Sequence, residues 1–145
     1  MFKLKRAIIF GCLFFCTFRI VNANQFGCFA EYRFAIRAME NGFNVSMPLL
    51  DASTYDAIVE KDGILNKIQI KSISEARTIK ENREDIQCVL RRNGKPYSIE
   101  MVDYFAIYVE RDQGFYIIKN KGQKAIRLST TGIYKNNFNN FASIL

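Results

Sequence analysis

The dipeptide Asp62-Gly63 is the feature that most constrains the fold, because both residues accept the positive φ angles of a two-residue β-hairpin turn. The flanking segments 55–59 and 64–72 read as two strands joined at this turn. In the second strand the side chains alternate between the two faces of the sheet. Ile64, Ile68 and Ile70 are predicted on one face, and Leu65, Lys67, Gln69 and Lys71 on the other.

The second face of this strand carries polar groups where a packing surface would carry apolar ones. Gln69 and Lys71 are two residues apart and so project side by side, and the paired strand can bring Asp56 near them. A carboxylate, an amide oxygen and an ammonium together suit a divalent cation and a phosphate. Taken singly, each residue has an ordinary role as a solvated strand or loop residue, so the prediction depends on their combination.

The 145 residues have room for one domain with a hydrophobic core, and their formal charge is +7. Four of the 21 basic residues lie in the first 23 positions, which contain no acidic residue. The remainder therefore carries 17 basic against 14 acidic residues, a net of +3. This mild excess is compatible with a polyanionic partner and equally with a solvated surface.

The chain contains no histidine. Histidine-based triads, histidine-ligated zinc and an imidazole general base are therefore excluded. Any hydrolysis must use carboxylates, lysine, hydroxyls or hard metal ions.

Residues 1–23 have the layout of a signal peptide, in which a basic start precedes an apolar run and Val21-Asn22-Ala23 predicts a cut after Ala23. The run from Ala7 to Phe18 is shorter than the ~20 residues of a membrane-spanning helix. The alternatives are an uncleaved anchor, which would contact the membrane, and a start codon assigned too early. A cleaved leader predicts an exported protein, secreted or periplasmic; otherwise the protein is expected in the cytoplasm.

The cysteines are Cys12, Cys16, Cys28 and Cys88, and no C-x-x-C pair occurs among them. Cys28 and Cys88 are expected to be small buried hydrophobes, with a mutual disulfide as the alternative in an exported chain.

The remaining pattern predicts one helix followed by a series of strands, and hence a mixed α/β domain over 24–145 with one central sheet. The helix covers 25–41, ends at Gly42 and carries Glu31. Its apolar face comprises Phe26, Phe29, Ala30, Phe34, Ala35, Ala38 and Met39. Further strands are expected at 43–47, 86–91, 102–110, 115–119 and 125–129, with a loop or irregular helix at 73–85. The tail is expected to be anchored by Phe138, Phe141, Ile144 and Leu145.

Glu31 on the helix, Asp56 at a strand start and Gln69-Ile70-Lys71 on the next strand resemble the PD-(D/E)xK nuclease superfamily. More narrowly, the chain resembles the branch that includes endonucleases encoded by group I introns. The resemblance runs from about Phe26 to Ser129 and implies a restriction-endonuclease-like core, with a central mixed β-sheet flanked by helices and preceded here by the apolar leader. The matching segments are FGCFAE at 26–31, NGF at 41–43 with Pro48, Tyr55-Asp56, IQIKS at 68–72, VDYFAIYV at 102–109 and FYII at 115–118.

The resemblance also implies roles and partners. Asp56 would be the anionic ligand of Mg²⁺ or Mn²⁺, the Gln69 side-chain oxygen and the Ile70 carbonyl would be neutral ligands, and Glu31 would complete the shell. Lys71 would hold the attacking water or a phosphate oxygen. The implied substrate is nucleic acid, with double-stranded DNA expected, and a homodimer is expected if both strands are cut.

Gln69 departs from the family pattern, since an acidic ligand usually stands at this position. Two alternatives therefore remain: a nuclease-fold module that binds nucleic acid without cutting it, and an exported small α/β protein of unrelated function. Residues expected to border the site or to contact phosphates are Asp51, Tyr55, Ser72, Lys67, Arg77, Lys80, Arg83, Arg91 and Arg92.

Overall fold

The computed structural model describes residues 22–50, 52–74 and 85–144, and in them a five-stranded sheet has the order β1-β2-β3-β7-β8. Two smaller sheets pair β4 with β9 and β5 with β6. The elements are α1 (Ala23–Glu40), β1 (Asn44–Ser46), β2 (Ala57–Lys61), β3 (Ile64–Ile73), β4 (Ile86–Val89), β5 (Arg91–Arg92), β6 (Lys95–Pro96), β7 (Tyr104–Val109), β8 (Gly114–Lys119), β9 (Ala125–Leu128) and the 3₁₀ helices η1 (Lys135–Asn137) and η2 (Phe141–Ile144).

The predicted hairpin is confirmed and forms the centre of the sheet. Asp62 and Gly63 both have positive φ, 53° and 79°, and join β2 to β3 in antiparallel register from Lys61 opposite Ile64 to Ala57 opposite Ile68. On its other side β3 pairs with β7 in parallel, and β7 pairs with β8 antiparallel. The central sheet is therefore mixed, as expected.

Helix α1 packs on one face of this sheet. The Asn22 side chain caps its start by accepting from the Gln25 N–H at 2.9 Å, and Gly42 follows its end with φ 81°. The buried side of the helix and two residues of the tail join Ile68 and Ile70 in one core; they are Phe26, Ala30, Phe34, Ala38, Phe141 and Ile144.

Met39 was predicted on the apolar face of the helix, but 55% of it is exposed. It lies in the last turn, beyond Ala38, the last helix residue that is buried. Cys28, expected to be buried, is exposed, whereas Cys88 is buried as predicted, and no disulfide joins the two. Met39 lies at the margin of the helix face, where the helical period alone does not decide burial. Burial of Cys28 was expected from residue type, and it lies outside the predicted apolar face.

The opposite face of the sheet is covered in the described residues by strands rather than by a second helix. The β4–β9 pair lies over it, and the strand expected at 86–91 is interrupted at Leu90, which is fully buried and donates its N–H to the Lys124 carbonyl at 2.9 Å. Phe138 packs against Tyr116 on this side, at 5.1 Å between ring centroids. This second core contains Ile73, Ile86, Cys88, Leu90, Phe105, Ile107, Tyr116 and Leu128.

Three predictions fall wholly or largely outside the described residues: the leader, most of the connection at 73–85, and the Leu145 anchor. A cut after Ala23 would fall just inside α1 and would remove Asn22, its cap. Among the helices within 22–50, 52–74 and 85–144, none has the length and hydropathy to cross a membrane.

Candidate active site

Asp56 lies where strands β2 and β3 part. Its own N–H donates to the Ile68 carbonyl at 2.9 Å, which continues the ladder by one bond beyond Ala57. Its carboxylate then accepts the next available donor of β3, because the Ile70 N–H reaches Oδ2 at 2.7 Å. A side-chain oxygen thus satisfies a backbone donor of the central strand. This bond orients the carboxylate relative to β3.

Gln69 reaches the same carboxylate. Its Nε2 donates to Asp56 Oδ2 and also approaches the Ile70 carbonyl at 3.3 Å. Only 7% of Gln69 is exposed, so the amide is buried beside Asp56. In this orientation the NH₂ group faces Asp56. A half-turn of the amide exchanges its oxygen and nitrogen, and only the turned form presents an oxygen to a cation at Asp56.

Glu31 approaches the site from the helix. It is half-buried in the middle of α1 and lines one pocket together with Asp56. The pocket has a volume of about 280 Å³. The helix glutamate and the strand aspartate, 25 residues apart in the chain, therefore face a common space. The other residues of the wall are Met47, Pro48, Leu49, Leu50, Ser53 and Tyr55.

Lys71 projects from the same face of β3 as Gln69, and its described contacts are with Tyr97. The ammonium donates to the Tyr97 hydroxyl at 2.9 Å and lies 5.2 Å from the centroid of the ring. Tyr97 is only 5% exposed, so the ring is a fixed support. Sequence reasoning did not identify Tyr97, because nothing in the residues around it signals a contact with a lysine 26 positions earlier.

The donor set suits a hard cation. Within the described ranges no group of three or more His, Cys, Asp or Glu side chains is placed to hold a metal ion. The site instead offers two carboxylates, Glu31 and Asp56, with neutral oxygens from the Gln69 amide and the Ile70 carbonyl. Magnesium and manganese prefer oxygen ligands, and magnesium retains several waters, so these residues fit such an ion.

A basic hairpin borders the pocket. The Arg92 guanidinium on β5 donates to the carbonyl of Ser53, a pocket residue, at 2.9 Å, and Arg91 beside it is exposed. Lys67 is used differently, since its ammonium donates to the Glu100 carbonyl. Tyr55 lines the pocket and Ser72 is half-buried on β3. Asp51, Arg77, Lys80 and Arg83 lie outside the described residues.

A family model described as PD-(D/E)XK endonuclease matches residues 21–143 of the chain. The chain belongs to the PD-(D/E)XK endonuclease family. The resemblance seen in its sequence is therefore confirmed, and so is the restriction-endonuclease-like fold. Nuclease function follows from this membership at the level of the family.

The chain is also similar to two solved structures. The bacterial homing endonuclease I-Ssp6803I has 25% identity and a TM-score of 0.67, with 86% of this PD-(D/E)XK chain and 91% of the other covered. The Holliday junction resolvase Hjc of Archaeoglobus fulgidus has 10% identity and a TM-score of 0.49, and the match covers 78% of this chain and 97% of the resolvase chain. Among curated proteins, none matches significantly.

Proposed function

We propose that this protein is a divalent-metal-dependent endonuclease that hydrolyses phosphodiester bonds in DNA. The observation that carries the proposal is the convergence at Asp56. Its carboxylate accepts from Gln69 and the Ile70 N–H on β3 and lines the same pocket as Glu31 on α1. Two acidic groups from separate elements thus line one pocket in a chain of the PD-(D/E)XK endonuclease family.

Asp56 and Glu31 would hold Mg²⁺ or Mn²⁺, with the Ile70 carbonyl and the turned amide of Gln69 as neutral ligands. When bound, such a cation neutralises charge on the phosphate and lowers the pKa of a coordinated water. Asp56 is already oriented by its bond to the Ile70 N–H. Ligand positioning therefore needs little reorganisation beyond the turn of the Gln69 amide.

Lys71 would bind a phosphate oxygen or the attacking water through its ammonium. An ammonium has three donors, so the bond to the Tyr97 hydroxyl leaves capacity for a substrate oxygen. Tyr97 would restrict the lysine to one orientation and thereby reduce the entropy lost when substrate binds. Lys71 then stabilises negative charge that develops on the phosphate.

DNA is favoured as the substrate because a similar structure at 25% identity is a homing endonuclease. The exposed arginines of β5 beside the pocket suit a phosphate backbone. One site of this kind cuts one strand. A double-strand break would therefore require two copies of the chain, and we propose a homodimer for that activity.

The second candidate is a module that binds DNA without cutting it. It is favoured by Gln69, which brings no charge to the site and directs its NH₂ group at Asp56. Cation binding would then depend on two carboxylates and on a turned amide. Such a site binds a cation more weakly than a site in which the third ligand is also charged.

A plasmid-nicking assay with Mg²⁺ or Mn²⁺ tests the proposal. The wild type is expected to convert supercoiled DNA to nicked or linear DNA, and chelator is expected to stop the reaction. Asp56→Asn and Lys71→Ala are each expected to lose about 100-fold or more in rate while remaining folded. Asp62→Asn, an identical chemical change at the far end of the hairpin, is the control and should cut normally.

Each other outcome selects an alternative. DNA binding by the wild type without cleavage under any divalent metal would support the inactive module. Absence of both binding and cleavage would support a protein of unrelated function. Cleavage that survives Asp56→Asn would place the chemistry at another site.

A further inference from the structure

Two adjacent leucines at the rim of the candidate site are strongly exposed. Leu49 is 101% exposed and Leu50 is 76% exposed, and both line the pocket that contains Glu31 and Asp56. Burial of a leucine side chain is favourable, and the isolated chain forgoes that gain at both positions. Single exposed leucines are common on protein surfaces, but a pair of them beside two site carboxylates is not explained by packing.

The segment that presents these leucines is attached on both sides. Before it, β1 pairs with β2 from Asn44 opposite Glu60 to Ser46 opposite Ile58. The ring of Pro48 restricts the backbone immediately before Leu49. After it, the Ser53 carbonyl accepts from Arg92 on β5. The leucines therefore lie at the pocket wall, between flanking residues that are held by β1 on one side and by Arg92 on the other.

The charge around the segment indicates what contacts it. Three basic residues, Arg91, Arg92 and Lys95, lie on the β5–β6 hairpin, and all three are exposed. The bond from Arg92 to the Ser53 carbonyl connects this hairpin to the pocket wall. A ligand that contacts both the leucines and these basic residues would combine apolar surface with negative charge. A nucleic-acid duplex does so, because its phosphates lie outside and the faces of its stacked bases are apolar.

We infer that Leu49 and Leu50 form a wedge that enters a DNA duplex between neighbouring base pairs and partly unstacks them beside the cleaved phosphate. The inference rests on the proposed function and specifies how that site engages DNA. Apolar side chains that enter a base step kink the duplex, and the cost depends on the sequence that is deformed. The wedge therefore makes easily unstacked pyrimidine–purine steps preferred substrates.

Permanganate oxidation of thymines tests the wedge, because unstacked thymines react faster than stacked ones. The parent protein is the full chain carrying Asp56→Asn, which blocks cleavage. Duplexes that it retains from a random-sequence pool are selected first and are then used for the permanganate reaction. We expect thymine reactivity to rise at the bound site. The added pair Leu49→Ser and Leu50→Ser should return reactivity to that of free duplex while affinity stays within about tenfold, since phosphate contacts dominate non-specific binding.

Leu65→Ser is the matched control. Leu65 is 65% exposed and lies on β3 four residues before Gln69, roughly 13 Å along the strand. This variant should keep the full permanganate signal. A signal that is absent in the parent although DNA is bound, or equal in all three proteins, would overturn the wedge while leaving the nuclease proposal intact.

Two further outcomes also overturn it. In the first, the Leu49→Ser and Leu50→Ser substitutions lower concentration-dependent self-association in the absence of DNA and leave thymine reactivity unchanged. The segment would then be a contact between copies of the chain. If the parent neither binds DNA nor, with Asp56 restored, cuts it, the proposed function fails and the wedge fails with it.

Discussion

The two ends of the β2–β3 ladder are closed in different ways. At the turn end, Asp62 and Gly63 adopt positive φ, and Glu60 Oε1 accepts from the Gly63 N–H at 3.0 Å. At the other end the strands part, and the Asp56 carboxylate takes the Ile70 N–H at 2.7 Å. The turn dipeptide and a carboxylate only three residues from its partner complete the first end, so the contacts there are local. The second end is completed across the two strands, by the Asp56 carboxylate on a donor 14 residues later, and this bond leaves a carboxylate oriented at the site.

The comparison separates stability from function along one pair of strands. Substitutions at the turn end should change the free energy of unfolding with little effect on cleavage. Substitutions at the parting end should change metal binding or cleavage, and those that add charge should also affect folding. Four variants test this division.

The largest effect is expected for Gln69→Glu, which replaces the NH₂ group beside Asp56 with a second carboxylate. In chelator, the lost hydrogen bond and the like-charge contact should lower the free energy of unfolding by about 2–3 kcal/mol. Repulsion raises the pKa of such a pair, so the destabilisation should shrink as the pH falls. Millimolar Mg²⁺ or Mn²⁺ should restore stability. Denaturant unfolding with and without metal measures each quantity.

The control for this variant is Gln87→Glu at an exposed position of β4. It should respond neither to chelator nor to metal beyond the response of the wild type. Stability of Gln69→Glu that is independent of the cation would contradict a metal ligand at residue 69.

Glu31→Gln should lower the cleavage rate by about 10–100-fold, because it removes one of the two carboxylates that line the pocket in the described residues while keeping the shape of the side chain. The free energy of unfolding should stay within about 0.5 kcal/mol of the wild type, since Glu31 is only half-buried. Rates across a range of Mg²⁺ concentration distinguish weaker metal binding from a slower chemical step.

Glu40→Gln serves as the comparison on the same helix. Glu40 forms an exposed ion pair with Arg37 at 2.9 Å, and such pairs contribute little. Equal activity losses for the two variants would show that charge on α1 in general, rather than Glu31 at the pocket, affects cleavage.

Gly63→Ala should reduce the free energy of unfolding by about 1 kcal/mol and leave cleavage unchanged. An added Cβ meets nothing within 4 Å at this position, so the cost comes from φ 79° and not from a clash. Gly27→Ala provides the opposite case, because Gly27 lies in α1 with equally open space. It should stabilise the protein by about 0.5–1 kcal/mol. Thermal unfolding of both variants tests this reversal of sign.

The features that could be predicted from the sequence are those that depend on a local pattern. The hairpin, its register and the approach of Asp56 to Gln69 depend on a turn dipeptide and on alternation along one strand, and both are local. The buried side of α1 follows from helical spacing. The pocket wall at 47–50 and the Lys71–Tyr97 contact depend on packing between distant segments, which no local pattern specifies. Met39 was misassigned because spacing does not show that the buried face of α1 ends at Ala38. Cys28 was misassigned because its burial was expected from residue type, although it lies off that face.

The smallest effect concerns acid sensitivity at the turn end. The Asn44 amide, at 2.6 Å, and then the Gly63 N–H hold the pKa of Glu60 below its ordinary value of 4.5. A carboxylate whose pKa is lowered by folding contributes stability above its unfolded pKa and loses it as pH falls through the folded value. The stability difference between wild type and Glu60→Gln should therefore be constant above about pH 5.5 and narrow below about pH 4.5. Urea unfolding across this range, with Glu100→Gln outside the hairpin as control, measures it. A difference that does not change with pH would show that folding leaves the pKa of Glu60 unchanged, so that the two donors hold the protonated carboxyl as well as they hold the carboxylate, and the turn end would then be closed by shape rather than by charge.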